Sequence, residues 1–111
     1  MVQCSGGLDD SFHALSDRTR RGILERLGRG EASISELAEH FDMTLTGLKK
    51  HVSVLEQAGL VTTEKVGRTR ICRLGPRRLD DETAWIARYR DMLEARLDRL
   101  GEFLENTKGE R

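Results

Sequence analysis

The chain has 111 residues, 37% of them apolar, which suffices for one modest core and no second domain. Its apolar runs fall far short of the roughly eighteen residues a bilayer-crossing helix needs, and the N-terminus lacks the basic-then-apolar pattern of a secretory leader, so a cytoplasmic protein with no membrane partner is expected. Two cysteines, Cys4 and Cys72, can build neither a disulfide framework nor a four-ligand zinc cluster, and the basic and acidic residues balance at 19 each.

Residues 1–7 contain Gly6 and Gly7, carry no cap, and are expected to be loose. Helical period begins at Leu8, with Leu8, Phe12 and Leu15 at i, i+4 and i+7. Ser16 or Asp17 then caps a second helix whose stripe is Ile23, Leu24 and Leu27, leaving Arg18, Arg20, Arg21 and Arg26 largely on other faces; Gly28 and Gly30 end it. Ser33-Ile34-Ser35-Glu36 spells a capping box, which opens a third helix with Ile34, Leu37, Ala38 and Phe41 inward and a stop near Asp42-Met43. Thr44 caps the fourth helix, 44–58, whose inward positions are Leu45, Leu48, Val52 and Leu55 and whose end is marked by Gly59.

After Gly59 the pattern changes. Residues 60–66 and 69–74 are β-branched-rich runs on either side of Gly67-Arg68 and read as a two-stranded hairpin. Gly75-Pro76 breaks the second run, and Asp80, Asp81 and Glu82 suit the first turn of a long last helix, 79–106, ahead of a loose 107–111. On that helix Leu79, Ile86, Leu93 and Leu100 repeat at seven, with Tyr89, Leu97 and Leu104 between them. With Trp85, Met92 and Phe103 this is more apolar surface than so small a core can cover, which calls for a partner helix. The expected fold is mostly α, about five helices plus a two-stranded hairpin wing.

The balanced charge is segregated along the chain. Residues 44–78 hold eight bases against only Glu56 and Glu64, whereas 1–43 hold five bases and eight acids, and 79–111 six and nine. Such segregation is what a one-sided polyanion-binding surface requires.

Two short helices joined by a turn at Asp42-Met43-Thr44 and followed by a basic ribbon form a helix-turn-helix with a wing. The run from Leu15 to Leu24, Leu-Ser-Asp-Arg-Thr-Arg-Arg-Gly-Ile-Leu, resembles the opening motif of ArsR-type regulators, and the run from Thr44 to Val61 resembles their recognition-helix signature. The likeness spans roughly Leu8 to Arg78. It implies a single winged-helix domain, 8–106, that regulates transcription by binding double-stranded DNA as a homodimer, most simply as a repressor of its own or neighbouring genes.

On that reading helix 44–58 enters the major groove. Its outward positions are Thr44, Thr46, Gly47, Lys49, Lys50 and Ser53, because Leu45, Leu48 and Val52 point inward. Lysine can donate to guanine O6 or N7, and threonine can hydrogen-bond or touch a thymine methyl, but either can equally hold a phosphate. Gly47 and Lys49 depart from the family, where alanine is common and serine frequent. His51 matches a histidine of the family's recognition helix and is given a structural or phosphate role, since no Cys or His stands at ligand spacing. Lys65, Arg68, Thr69 and Arg70 form the wing, 65–70, directed at flanking backbone or minor groove; Arg77 and Arg78 are weaker candidates.

The resemblance also implies a two-fold interface in which Leu8, Phe12 and Leu15 join Ile86, Tyr89, Leu93, Leu97 and Leu100, and hence a roughly palindromic operator. Metal-sensing members use a cysteine pair in the third helix or Asp/His and His/Glu pairs on the last. Here residues 36–41 have no thiol and the last helix no histidine, so the metal-independent branch is expected, with no metal and no cofactor. The inducer, the operator sequence, activation versus repression and any redox role of Cys4 or Cys72 stay open. A protein-interaction module would show an acidic wing or an apolar recognition face. An enzyme would need a glycine elbow, a phosphate loop or a metal motif to organise its Ser, His and acid residues.

Overall fold

The computed structural model describes the backbone of residues 3–109 and the side chains of residues 7–104. Five helices and three strands follow in the order α1 (Gln3–Leu15), α2 (Arg18–Leu27), β1 (Ala32–Ser33), α3 (Ile34–His40), α4 (Leu45–Gln57), β2 (Val61–Val66), β3 (Thr69–Leu74) and α5 (Asp80–Gly109). Residues up to Arg78 form one compact unit, and the residues from Leu79 a second.

Helix starts follow side-chain chemistry. Asp17 caps α2 by accepting from the Arg20 amide, Thr44 caps α4 by accepting from the Gly47 amide, and Ser33 and Glu36 exchange both bonds of the capping box at α3. Two helix ends are closed by the same device. At α3 the Met43 amide donates to the Ala38 carbonyl and Asp42 takes φ +54°; at α4 the Leu60 amide donates to the Leu55 carbonyl and Gly59 takes φ +79°. Both are Schellman closures, in which one left-handed residue lets the chain double back. The first makes the turn of the helix-turn-helix, and the second aims the chain into β2.

The sheet has three strands, not the two expected. Its order is β1-β3-β2, all antiparallel, with Ala32 opposite Cys72 and Ser33 opposite Ile71 in addition to the hairpin register from Val61–Leu74 to Val66–Thr69. A two-residue strand carries no alternation, and Ser33 was already accounted for as a helix cap, so periodicity had nothing to detect. The hairpin closes through Gly67 at φ +66° followed by Arg68, a two-residue loop whose first position needs glycine.

Ile23, Leu37, Leu48, Leu55, Val61 and Cys72 are fully buried and define the core of the first unit. Two details depart from the sequence reading there. Leu45 is 48% exposed rather than inward, because the apolar stripe of α4 runs one turn past the edge of the core. Phe41 is only half-buried. Its ring lies against α2, where a Cβ on Gly22 would come within 2.9 Å of it.

The chain ends also differ. The backbone is helical from Gln3, ahead of Leu8, and to Gly109, beyond residue 106, so residues 3–7 and 107–109 are not loose coil. Gly6 and Gly7 suppress any propensity signal, yet Ser11 Oγ donates to the Gly7 carbonyl and ties that turn down. The expectations for residues 1–2 and 110–111, and for the Cys4 thiol, lie outside the described residues. Leu79 is not in α5 but precedes it at φ +61°, its carbonyl accepting from the Thr83 amide. Among the described residues no helix is long and apolar enough to cross a membrane.

Candidate nucleic-acid interface

Helix α4 is held on several sides by residues that sequence reading assigned elsewhere. Arg20 was expected off the buried face of α2, yet it is only 8% exposed. Its Nε donates to the Ala14 carbonyl at 2.9 Å and one Nη to the His13 carbonyl at 3.0 Å, closing the last turn of α1. The other Nη lies 3.2 Å from His51 Nδ1; a guanidinium can only donate, so Nδ1 accepts. The signal was present in the sequence, since Arg20, Ile23 and Leu27 fall at i, i+3 and i+7 on one stripe. Arg21 repeats the motif from outside, donating to the Leu15 carbonyl at 2.7 Å.

His51 is therefore half-buried and braced against α2 rather than standing out from α4. Asp17 Oδ2 lies 3.9 Å from its Nδ1. The Arg20 backbone amide bonded to Asp17 holds that carboxyl below its ordinary range, outweighing partial desolvation, and the Arg20 guanidinium charge adds to the effect. At the far end of α4, Arg77 donates to the Ala58 carbonyl at 3.2 Å, placing a cation at the helix C-terminus. Arg77 thus serves the fold.

Lys49 from α4 and Lys65, Arg68, Thr69 and Arg70 from the wing line one open groove of about 350 Å³, floored by Ile34, Ser35 and Leu45. Four of the predicted basic residues, from two separate stretches of sequence, thus converge on one concavity. Leu45, Ile34 and Ser35 were not foreseen as part of it. Thr46, Lys50 and Ser53 are exposed on the adjacent strip of α4, at i, i+4 and i+7; Ser53 borders a shallower groove of about 260 Å³ shared with Lys49, Glu56, Thr63 and Arg70. Thr44 is exposed, its hydroxyl committed to the cap. Gly47 is half-buried, and a Cβ there would come within 3.2 Å of that hydroxyl and 3.4 Å of Met43 Cε. The glycine therefore relieves crowding at the cap.

The cations of 44–78 are not equivalent. Arg73 donates to Glu31 at 2.7 Å and to Glu64 at 2.8 Å and is spent on binding β3 to its surroundings. Arg70 donates to Thr63, whose hydroxyl donates to Glu56. Among the described residues no carboxylate lies within ion-pair distance of Lys49, Lys50, Lys65 or Arg68. These four charges meet solvent. Nor do three or more His, Cys, Asp or Glu side chains cluster to hold a metal among the described residues. The Cys72 thiol is fully buried in β3, and burial, with Glu56 nearby, pushes it up to about 11.

Known proteins resemble this chain in sequence and fold. A helix-turn-helix domain family model matches residues 15–64, from the end of α1 into β2. The transcriptional repressor SdpR of Bacillus subtilis is 29% identical over 82 residues, covering 74% of this chain and 91% of SdpR. A crystal structure of an ArsR family transcriptional regulator superposes with a TM-score of 0.72 at 42% identity, over 80% of this chain and 92% of that one. The chain belongs to the ArsR family. Its function is accordingly that of a DNA-binding transcriptional regulator, and the basic groove lies between its own α4 and its β2–β3 hairpin. A solution structure from Mycobacterium bovis, described as a homodimeric winged helix-turn-helix DNA-binding domain, shares the fold with a TM-score of 0.64 at 21% identity.

The residues expected at a dimer interface of this ArsR-family chain lie on α1 and α5. Leu8, Phe12 and Leu15 are half-buried on α1. On α5, Ile86, Tyr89, Leu93, Leu97 and Leu100 are between 40% and 65% exposed, and Trp85 stacks on Tyr89 with ring centroids 5.6 Å apart. A 30-residue helix with this many exposed large apolar side chains leaves a continuous sticky face.

Proposed function

We propose that this ArsR-family regulator is a cytoplasmic homodimeric repressor that lays α4 in the major groove of a roughly palindromic operator and its wing on flanking DNA, without a catalytic step, metal or cofactor. The observation that carries the reading is the groove in which Lys49 faces Lys65, Arg68 and Arg70 while Lys49, Lys65 and Arg68 lack acidic partners. Lys49, Lys50, Thr46 and Ser53 act as the base- and phosphate-facing side chains of α4, with Thr44 and Gly47 forming the cap that sets its entry. Lys65, Arg68, Thr69 and Arg70 act on backbone or minor groove, and His51 braces the helix. Self-association through Leu8, Phe12, Leu15, Ile86, Tyr89, Leu93, Leu97 and Leu100 is supported by the exposed α5 face and by the homodimeric M. bovis domain; repression is supported by SdpR.

The test is a gel shift with DNA upstream of the gene, across a salt series. Two protomers presenting four or five cations each neutralise about eight to ten phosphates, so log affinity against log salt should fall with a slope of roughly −7 to −9. Lys49→Ala should cost about 1–3 kcal/mol where it reads a base. A salt-insensitive interaction, or a chain that stays monomeric at micromolar concentration, refutes the proposal.

A further inference from the structure

Leu45 is the first residue of α4, and it is 48% exposed on a helix whose core contacts are made by Leu48, Val52 and Leu55. It lines the cationic groove with Lys49, one turn further along the same face. Cations in that groove meet phosphate or guanine, but a leucine can neither donate nor accept. Among groups displayed in the major groove, the one that rewards an apolar contact is the thymine C5-methyl. With about half its surface outside the core, Leu45 is free to select a base.

We propose that Leu45 is a specificity-determining residue that packs against a thymine methyl in each half-site, beside the base or phosphate met by Lys49. This rests on the reading of α4 as the major-groove helix. Four residues of helix advance about 6 Å, and successive bases on a strand are about 3.4 Å apart, so the thymine stands within about two base-pair steps of the Lys49 contact.

The test uses the full chain and a duplex selected by it from a random-sequence pool. Each thymine is replaced in turn by deoxyuridine, which deletes only the methyl. One thymine per half-site should lose affinity about three- to fivefold, the worth of one buried methyl. Leu45→Ala should bind the thymine duplex more weakly by a similar factor and show no further loss with deoxyuridine, whereas Leu45→Met and Lys49→Ala should keep the methyl dependence. Indifference of the wild type to every deoxyuridine, or an unchanged methyl penalty in Leu45→Ala, overturns the proposal. Guanine N7-methylation interference on the same duplex separates the two levels. Interference without a methyl effect overturns the role of Leu45 alone; absence of both interference and a methyl effect overturns the major-groove reading and this inference with it.

Discussion

Replacing Arg20 with Met removes a guanidinium that closes α1 and braces α4 while keeping much of its apolar stem. Three acceptors lose a donor, and they are not equally exposed to the consequence. The His13 carbonyl still accepts from the Ser16 amide at 3.1 Å and the Ser16 hydroxyl at 2.7 Å. The His51 side chain is 23% accessible, so its Nδ1 can find water. The Ala14 carbonyl, in a buried bond with Arg20 Nε, has no such recourse. Leaving one buried acceptor unpaired costs about 1–3 kcal/mol, and loss of the bond to His51 adds about 0.5–1 kcal/mol, so Arg20→Met should lower stability by about 1.5–4 kcal/mol. Arg21→Met, which removes a similar bond at an exposed site, should cost below about 1 kcal/mol. Urea unfolding at one fixed protein concentration measures both, with the slope checked for constancy, because dimerisation makes apparent stability concentration-dependent. Equal midpoint shifts for the two variants would refute the reasoning, since it rests on the burial of one carbonyl and not on arginine as such.

Three further outcomes follow from particular contacts. A Cβ at Gly75 would sit 2.5 Å from the Gly59 carbonyl oxygen, which is backbone and cannot yield, so Gly75→Ala should cost about 1–3 kcal/mol; Gly22→Ala, which meets the movable Phe41 ring and regains helix propensity, should cost less, and thermal melting ranks them. Asp17 and Glu36 are held below their ordinary values, Asp17 chiefly by the Arg20 amide and Glu36 by the Ser33 amide and hydroxyl. Their folded pKa is depressed, so the caps stabilise above the unfolded pKa and that contribution is lost as pH falls through the folded value; Asp17→Asn and Glu36→Gln should each flatten the melting profile on the acid side of pH 4–5. In a Cys4→Ser background, Cys72 should resist iodoacetamide at pH 7.5 until the protein unfolds, because burial holds its thiol near 11; fast native-state alkylation would contradict the buried site.

What the sequence disclosed depended on how each feature is encoded. Caps at Ser33 and Thr44, the stop at Gly59 and the Gly67-Arg68 hairpin are local, decided by two to four neighbouring residues, and each was legible; the cap of α2 was narrowed to Ser16 or Asp17, and Asp17 makes it. Strand β1 was not, because its two residues acquire strand character only from β3, some forty positions away. Arg20 was misplaced for a related reason: arginine is weighed as exposed until its acceptors are known, and these belong to α1 and α4. Leu45 was read inward because helical period alone does not say where the core ends. At the groove, Lys49 and the wing cations were identifiable one by one, but their convergence, and the loss of Arg73 and Arg77 from the reckoning, needed the tertiary fold.

That loss follows a chemical division. The cations engaged within the protein are arginines: Arg20 spans three acceptors, Arg73 two carboxylates, Arg77 the end of α4, and Arg21 and Arg26 helix-end or loop carbonyls. A planar guanidinium with five fixed donors can join several elements at once, whereas a flexible ammonium loses more side-chain freedom for each bond it makes. Among the described cations of residues 44–78, Lys49, Lys50 and Lys65, with Arg68 at the hairpin loop and Arg78, are the charges left to solvent. A chain of zero formal charge can therefore present a positive face: Asp17 and Glu36 cap helices, Glu31 and Glu64 are taken up by Arg73 and Glu56 by Thr63, while Lys49, Lys50 and Lys65 stay where a polyanion can reach them. Counting bases along a segment overstates that face, and asking which of them are already forked between acceptors corrects the count.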